Sequence, residues 1–319
     1  MVVDKLFFIL IEGESYMEFN NFSLSSTKIK SSWFDGKSKS VFNHIGKEEG
    51  LNLYLQLFRF RLHQITGDGK QNYNQHVFRI TIGELTKFTK INLTKKLTYK
   101  KIVDLLKKME KVGIIKLYTP SRWDQLLDDK DGIKSDKLIV LQATDIPNIH
   151  VERNKNGRDI DIPDTDNDYY ISINFKIIDY MYKDISLTSK DVSIYLLLLK
   201  LSNGGENKAT ININTMKDWL NYSNDTIINI LITLNQNFMV STYVKKKKKK
   251  ISYEHVPVRS YNHINTFKTE KEDDIRKFLN RYKKSKRVSN SVKEEKNPFL
   301  EVDNNQKKNE DNVKRIDLT

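Results

Sequence analysis

The sequence FRITIGELTKFTKINLTKKLTYKKIVDLLKKMEKVGIIKLY (residues 78–118) predicts a short strand, a short helix, a turn, a long basic helix and a second strand. In the long helix, apolar residues recur at three- and four-residue spacing and form one face: Leu97, Ile102, Leu105, Leu106, Met109 and Val112. Seven lysines lie largely off that face: Lys95, Lys96, Lys100, Lys101, Lys107, Lys108 and Lys111. Gly113 supplies a left-handed C-terminal cap, and an apolar strand begins at Ile114.

The residues before this stretch complete a larger pattern. KEEGLNLYLQLFRFRLHQ (residues 47–64) predicts a buried first helix, and Val77–Thr81 predicts a strand. The order helix, strand, helix, helix, strand is typical of a winged helix-turn-helix. There the second helix of the pair enters the DNA major groove and the hairpin "wing" touches flanking backbone. An ordinary amphipathic helix with a solvated lysine face is the alternative.

The same order recurs from residue 169 onward with little sequence identity. Ser189 caps an apolar helix, Asp191–Leu201, and a short strand follows at Ala209–Ile213. Two further helices are predicted over Thr215–Leu220 and Asn224–Asn237. The segments FMVSTYV and ISYEHVPV then flank six consecutive lysines, which predicts a hairpin with a lysine tip. We interpret that tip as a wing that grips phosphate; a solvated lysine run is the alternative.

These patterns predict an α+β, mainly α, chain with two tandem winged helix-turn-helix domains. The expected boundaries are an N-terminal arm (1–43), a first winged-helix domain with a long wing insert (44–145), a linker (146–168), a second winged-helix domain with a lysine-rich wing (169–265) and a charged tail (266–319). We expect the tail to be largely disordered, with one short helix over residues 273–284. Trp33 and Phe34 either pin the arm to the core or lie beside DNA backbone; the first interpretation is favoured.

The composition and motifs of the chain favour a polyanionic partner and disfavour an enzymatic function. The 319 residues carry a formal charge of +14, and clustered Lys and Arg release counterions from nucleic acid. There is no cysteine, no HxH pair, no GxxxxGK[ST], no HExxH and no GxSxG, so we predict no enzyme, no cofactor and no metal site. LFFILI (residues 6–11) is too short to span a membrane, and a cytoplasmic protein is expected.

The segment KEEGLNLYLQLFRF, followed by the first winged-helix pattern, resembles the N-terminal modules of DnaD-like and of phage or plasmid replication proteins of low-GC Gram-positive bacteria. The second unit, TSKDVSIYLLLLKLSN…INTMKDWLNYSNDTIINILITLNQNFMVS, is similar to the winged helix of plasmid replication initiators from those bacteria. The resemblance covers roughly residues 40–260. The chain departs from DnaD itself because it has no recognisable C-terminal helical domain of the DnaD kind. It implies an origin-binding initiator that recruits host replication proteins.

Three hypotheses therefore stand: an initiator that binds AT-rich origin repeats in double-stranded DNA, a transcriptional regulator of plasmid or phage genes, and a non-catalytic interaction scaffold. A homodimer is left open. The candidate DNA contacts occupy the two recognition helices, the lysine tip and the first wing insert. They are Lys95, Lys96, Thr98, Tyr99, Lys100, Lys101, Arg122, Asn224, Asp225, Ile228, Asn229, Lys245, Lys246, Lys247, Lys248, Lys249 and Lys250.

Overall fold

Helices predominate over strands in the computed structural model, which confirms the α+β, mainly helical class. The structure describes residues 26–35, 39–60, 76–89, 96–126, 136–146, 149–153, 159–163, 170–202, 207–247 and 250–291. Within these residues, no helix combines the length and apolar content needed to cross a membrane. Predictions for LFFILI, Lys95, Lys248, Lys249 and the last 28 residues lie outside the described residues.

The N-terminal segment begins with strand β1 (Ser26–Lys30), a 3-10 turn (Ser31–Phe34) and the short helix α1 (Val41–His44). Trp33 and Phe34 are buried. The Trp33 indole Nε1–H donates to Asp145 Oδ2 at 2.9 Å, and the Tyr54 hydroxyl donates to Asp145 Oδ1 at 2.6 Å. Burial raises the pKa of Asp145, while these two hydrogen bonds lower it. The arm is therefore pinned to the core, as the favoured interpretation predicts.

The first unit (residues 47–143) contains α2 (Lys47–Leu57), β2 (His76–Thr81), α3 (Ile82–Phe88), α4 (Tyr99–Val112), β3 (Ile115–Thr119) and β4 (Leu138–Ala143). Its antiparallel sheet has the order β2-β4-β3. A capping box starts α3: the Thr81 side chain accepts from Glu84 N, and Glu84 accepts from Thr81 N. Gly113, at φ 82°, ends α4 in the left-handed conformation.

The region between the two units contains ordered structure. A hairpin of β5 (Ile149–Arg153) and β6 (Asp159–Pro163) occupies much of the predicted linker. Strand β7 (Tyr170–Asn174) pairs antiparallel with β1, and helix α5 (Phe175–Asp179) follows, continuing as a π-helical turn (Tyr180–Asp184). The arm and the start of the second repeat thus form one small sheet.

The second unit (residues 189–257) repeats the order of the first. It contains α6 (Ser189–Leu201), β8 (Ala209–Thr210), α7 (Ile213–Leu220), α8 (Asn224–Gln236), β9 (Val240–Lys247) and β10 (Lys250–Pro257). Its sheet order, β8-β10-β9, matches that of the first unit strand for strand. A capping box between Thr188 and Asp191 starts α6, and Ser223 caps α8.

A last helix, α9 (Ile264–Ser291), packs on the second unit and is longer than the predicted helix over residues 273–284. Its Ile264, Phe267, Ile275 and Phe278 are buried, and three of them cluster with Val258. Burial of Ile264 and Phe267 extends the helix well before residue 273, because it offsets the entropy cost of ordering the first turns.

One continuous hydrophobic core joins the two units. The first helices α2 and α6 pack on each other, and both are almost entirely buried. An ion pair at the edge of this contact joins Arg59 to Asp179 through two hydrogen bonds of 3.3 and 2.8 Å, with the guanidinium carbon 4.2 Å from the centre of the Phe175 ring. The units are consequently fixed relative to each other.

Candidate nucleic-acid interface

Helix α4 presents a basic face over an apolar one. Ile102, Leu105, Leu106 and Met109 are buried, where they hold the helix against the core. Thr98 caps the helix by accepting from Lys101 N at 3.3 Å, which leaves the first turn in solvent. The exposed side chains there and farther along are Lys96, Thr98, Tyr99, Lys100, Lys107, Lys108 and Lys111. Of the six residues predicted here, Lys95 lies outside the described residues and Lys101 is partly buried. The other four are exposed at the start of α4 or just before it.

Lys101 differs from its neighbours because it is ion-paired. Its Nζ lies 2.8 Å from Glu49 Oε2 in the first turn of α2. Its side chain is 44% exposed, so solvent screens the pair and it contributes little to stability. The pair nevertheless commits this cation to an intramolecular carboxylate. Lys101 is therefore less available to a phosphate than the exposed Lys100.

Helix α8 carries no cation, whereas α4 is basic. Its sequence, NDTIINILITLNQ, contains one acid and no Lys or Arg. Asp225 and Asn229 are exposed, and Asn224 is partly buried with its Nδ2 3.4 Å from Asn214 Oδ1. These three predicted residues lie on the first two turns. The exposed amide of Asn229 can pair with adenine through one donor and one acceptor, whereas the Oδ1 of Asn224 is buried.

Ile228 corrects the predicted set. We expected it on the outward turn of α8, but it is only 2% exposed. Both Ile227 and Ile228 are buried because α6, α7, α9 and β9 pack around this helix and bury more than one narrow stripe. A side chain in that position contributes to the core and cannot reach a ligand.

The lysine run forms the end of the β9–β10 hairpin. Lys247 pairs with Lys250, Lys246 with Ile251 and Lys245 with Ser252 in an antiparallel register. Lys245, at the base of this group, lies 2.6 Å from Glu254 and keeps a 57% exposed side chain. The hairpin therefore brings Lys245, Lys246, Lys247 and Lys250 together on one pair of strands.

A buried network fixes this hairpin to α8. Thr242 N donates to Asn235 Oδ1 at 2.9 Å, and Asn235 Nδ2 donates to Thr242 Oγ1 at 2.9 Å. Thr242 Oγ1 also lies 3.1 Å from His255 Nδ1, within hydrogen-bond distance. Burial lowers the pKa of His255 to about 4. At neutral pH the uncharged histidine thus joins helix and hairpin.

Arg122 lies at the start of the long insert of the first unit. Its side chain is 74% exposed, and its Nε lies 3.5 Å from Asp124. The insert folds back at this point, since Trp123 Nε1 donates to Glu110 Oε2 on α4 at 2.5 Å and Leu126 is buried. Arg122 is therefore displayed beside α4 with a carboxylate next to it, which reduces its pull on phosphate.

The first turn of α2 contacts the starts of both α4 and α8. Glu49 holds Lys101 on α4, while Glu48 Oε2 accepts from the Tyr222 hydroxyl at 2.8 Å. Tyr222 lies in the α7–α8 turn, and Lys47 Nζ donates to the Asn221 carbonyl in the same turn at 3.2 Å. Burial, followed by the charge of Glu48, raises the pKa of Tyr222. Both helices consequently begin on the same side of the molecule.

The predicted site residues did not include Glu48, Glu49 or Tyr222. Acids in the first turn of a helix favour its dipole, so Glu48 and Glu49 have an ordinary local role as well. No local periodicity reports the contact of Glu48 with Tyr222, whose positions are 174 residues apart.

No protein-family model, no curated protein and no solved structure matches the chain. In the part of the chain that the structure describes, no group of three His, Asp or Glu side chains is placed to hold a metal ion.

Proposed function

We propose that the chain is a sequence-specific double-stranded DNA-binding protein built from two tandem winged helix-turn-helix units, which acts by binding alone. One observation carries the proposal: two units with the same helix and strand order and the same sheet order each expose polar side chains at the start of the third helix. In winged helices that helix enters the major groove and the following hairpin contacts backbone.

In the first unit, Lys96, Thr98, Tyr99 and Lys100 are the proposed contacts. The first turn of α4 faces base edges, and its lysines reach adjoining phosphates. In the second unit, Asn229 takes the base edges and the lysine hairpin holds the backbone, while Asn224, with its Oδ1 buried, positions the start of α8. Asp225 lies at the same turn, where its carboxylate disfavours a nearby phosphate and accepts from the exocyclic amine of cytosine.

The contacts of α2 support a single continuous DNA surface. Because Glu48 and Glu49 are adjacent and hold the starts of α8 and α4, the two proposed reading helices approach DNA from one side. A rigid pair of winged helices with this arrangement suits two successive stretches of one duplex. That geometry also suits a binding site made of repeats.

We propose further that this binding initiates replication of a plasmid or phage, with recruitment of host replication proteins. This step rests on the resemblance of both units to replication initiators, and the rigid tandem arrangement is in keeping with it. Control of transcription uses the same DNA contacts. The layout of the binding site separates the two roles, since iterated repeats beside an AT-rich segment indicate initiation and a palindrome over a promoter indicates regulation.

The test is binding of the purified chain to fragments that tile its own replicon, measured from 50 to 300 mM salt. We expect tight binding at one fragment, with affinity falling steeply as salt rises because phosphate contacts release counterions. Weak binding that is equal for all fragments contradicts the proposal. It would leave only a general attraction of a basic protein for DNA and favour the scaffold hypothesis.

A further inference from the structure

A cleft of about 650 Å³ lies between α9 and the second unit's sheet. The sheet contributes Lys208, Tyr243, Lys245 and Glu254 to one wall. Tyr243 and Glu254 are directly opposite each other in the β9–β10 register, so they share the face of the sheet that α9 covers. The cleft is separate from α4, α8 and the arm.

The walls of the cleft carry an excess of positive charge. Two carboxylates, Glu254 and Asp274, face five cations: Lys208, Lys245, Lys271, Lys277 and Arg281. Glu254 is 2.6 Å from Lys245, and Asp274 is 4.0 Å from Lys277, so each acid offsets one neighbour. Lys208, Lys271 and Arg281 remain in excess over these two pairs. An excess of three positive charges favours an anionic ligand.

Packing of α9 does not require these cations. The helix is anchored by Phe267, Ile275 and Phe278, which bury their rings and chains against Val258 and the core. Lys271 is oriented toward the cleft by a hydrogen bond with the Tyr243 hydroxyl, which is the first cause of its raised pKa. Its Nζ lies 5.8 Å from the centre of the Tyr243 ring. The cation therefore has a defined position.

The three basic residues that α9 contributes to the cleft are spread along the helix axis. From Lys271 to Arg281 the helix advances about 15 Å, at about 1.5 Å per residue. Lys245 connects one end of the cleft to the lysine hairpin, and α9 continues past Arg281 with four more cations in its sequence: Lys283, Lys284, Lys286 and Arg287. A small polyphosphate needs cations that converge on one point. A line of cations suits a sugar–phosphate backbone.

We propose that this cleft binds the sugar–phosphate backbone of duplex DNA flanking the stretch that the lysine hairpin contacts. This inference rests on the proposed function and adds a backbone site that is independent of both reading helices. Phosphates of one strand lie along α9, with Lys271, Lys277 and Arg281 as their partners. The contact carries no base information, so it lengthens the protected DNA without changing the recognised sequence.

The test compares two double variants of the full chain that remove the same charge from the same helix. Lys277→Gln with Arg281→Gln changes the cleft. Lys268→Gln with Arg276→Gln changes exposed positions outside it, where Lys268 lies over the Phe238 ring and Arg276 pairs with Glu272. Circular dichroism establishes that both variants fold. Binding is measured across salt on the specific duplex at two lengths, one ending at the hairpin contact and one extended by ten base pairs on that side.

On the extended duplex, we expect the cleft variant to lose roughly tenfold in affinity or more, and its salt slope to fall by about two, at about 0.9 for each phosphate contact. The control variant should keep a slope within about half a unit of wild type, and on the short duplex all three proteins should bind alike. Equal losses of affinity in both variants would show a general charge effect and overturn the cleft site. Unchanged affinity in both variants would also overturn it.

Two further measurements distinguish a DNA backbone from a free polyphosphate as the ligand, and failure of this inference from failure of the proposed function. Calorimetric titration of the wild-type chain with pyrophosphate and with ATP should give no saturable binding. Micromolar binding that the cleft variant abolishes would assign the cleft to a free polyphosphate and overturn the backbone proposal. A wild-type chain that binds no DNA overturns the proposed function and this inference together, whereas specific binding by wild type with an unaffected cleft variant overturns the inference alone.

Discussion

The two units share one topology but carry their charge in different places. In the first unit, α4 carries five lysines, and the connection between β3 and β4 (residues 120–137) has five acids against four bases. In the second unit, α8 carries no Lys or Arg, and the hairpin carries six consecutive lysines. The two units therefore place their clustered lysines on different elements, the third helix in the first unit and the hairpin in the second.

This difference implies a division of labour between the units. Lysine contacts with phosphate give affinity that depends on salt and not on sequence. Amides on a helix without cations give base discrimination with little dependence on salt. We expect α4 and the β9–β10 hairpin to supply most of the affinity, and α8 to supply most of the selectivity in the second half of the site.

The largest effect is expected from the hairpin. Replacing Lys245–Lys250 with serine should weaken binding to all DNA on the order of 10³-fold and reduce the salt slope by about five, at about 0.9 for each contact. The ratio of specific to non-specific affinity should stay constant. Six arginines in the same positions keep the charge and should restore the slope. Loss at the specific site alone, measured by salt-titrated fluorescence anisotropy, would show that the hairpin reads bases.

The link between hairpin and α8 makes stability depend on pH. The folded-state pKa of His255 is about 4, below the ordinary value of 6.5, so the unfolded chain takes up a proton between these values that the folded chain does not. This contribution to stability is complete above pH 6.5 and is lost as the pH falls toward 4. The loss amounts to at most about 3 kcal/mol, at 1.36 kcal/mol for each pKa unit.

Chemical denaturation at pH 7.0 and 4.5 measures this effect by comparing wild type with His255→Gln. The amide of glutamine can still accept the Thr242 hydrogen bond but does not titrate. The variant should lose less stability than wild type on acidification, by about 2 kcal/mol over this interval. Identical losses in the two proteins would mean that His255 does not titrate in this range.

Substituting exposed amides on α8 should affect sequence preference alone. Asn229→Ala is expected to cost about 1–3 kcal/mol on the specific site, to relax preference at one base pair and to leave non-specific binding unchanged. Gln236→Ala, an exposed change at the far end of α8, is the control.

Lys100→Ala on α4 should show the opposite behaviour, a uniform loss of affinity for all sequences with a salt slope lower by about one. Affinities for every single-base variant of the site would reveal both patterns.

The smallest effect concerns the ion pair that occupies Lys101. Glu49→Gln removes the partner carboxylate, and the lysine becomes available to phosphate. Affinity for any duplex should rise a few-fold, with a salt slope higher by at most about one. Asp184→Asn, at an exposed position in the π-helical turn after α5, removes the same charge elsewhere. An equal rise in both variants would attribute the change to net charge.

Much of the secondary structure follows from local signals. The predicted helix over residues 95–112 begins at Tyr99, because Thr98 caps it, and it ends where predicted, before the left-handed Gly113. Asn224–Gln236 follows its Ser223 cap within one residue of the predicted end. Caps and apolar spacing are properties of a few neighbouring residues, so the sequence displays them directly.

Contacts between distant segments left no such signal. The pairing of β1 with β7 joins positions 140 to 148 residues apart. The β5–β6 hairpin had a weak local signal, since Ile160 and Ile162 alternate with aspartates, but the surrounding polar segment favoured a linker. The burial of Ile228 and the cleft beside α9 depend on which helices surround an element, which periodicity within that element does not report. The exposed lysines of the candidate site were predictable from the sequence. The contacts by which Glu48 and Glu49 hold the starts of α8 and α4 were not.

The central claim is that α4 and α8 face one duplex together, and tethered cleavage tests it most directly. The chain contains no cysteine, so Asp104→Cys on α4 and Asp225→Cys on α8 each provide a single attachment point for an iron chelate that cuts nearby DNA. We predict that both labelled proteins cut the specific fragment on the same face of the duplex, at positions about 10 bp apart. Cutting by only one of them, or cutting on opposite faces, would contradict the account.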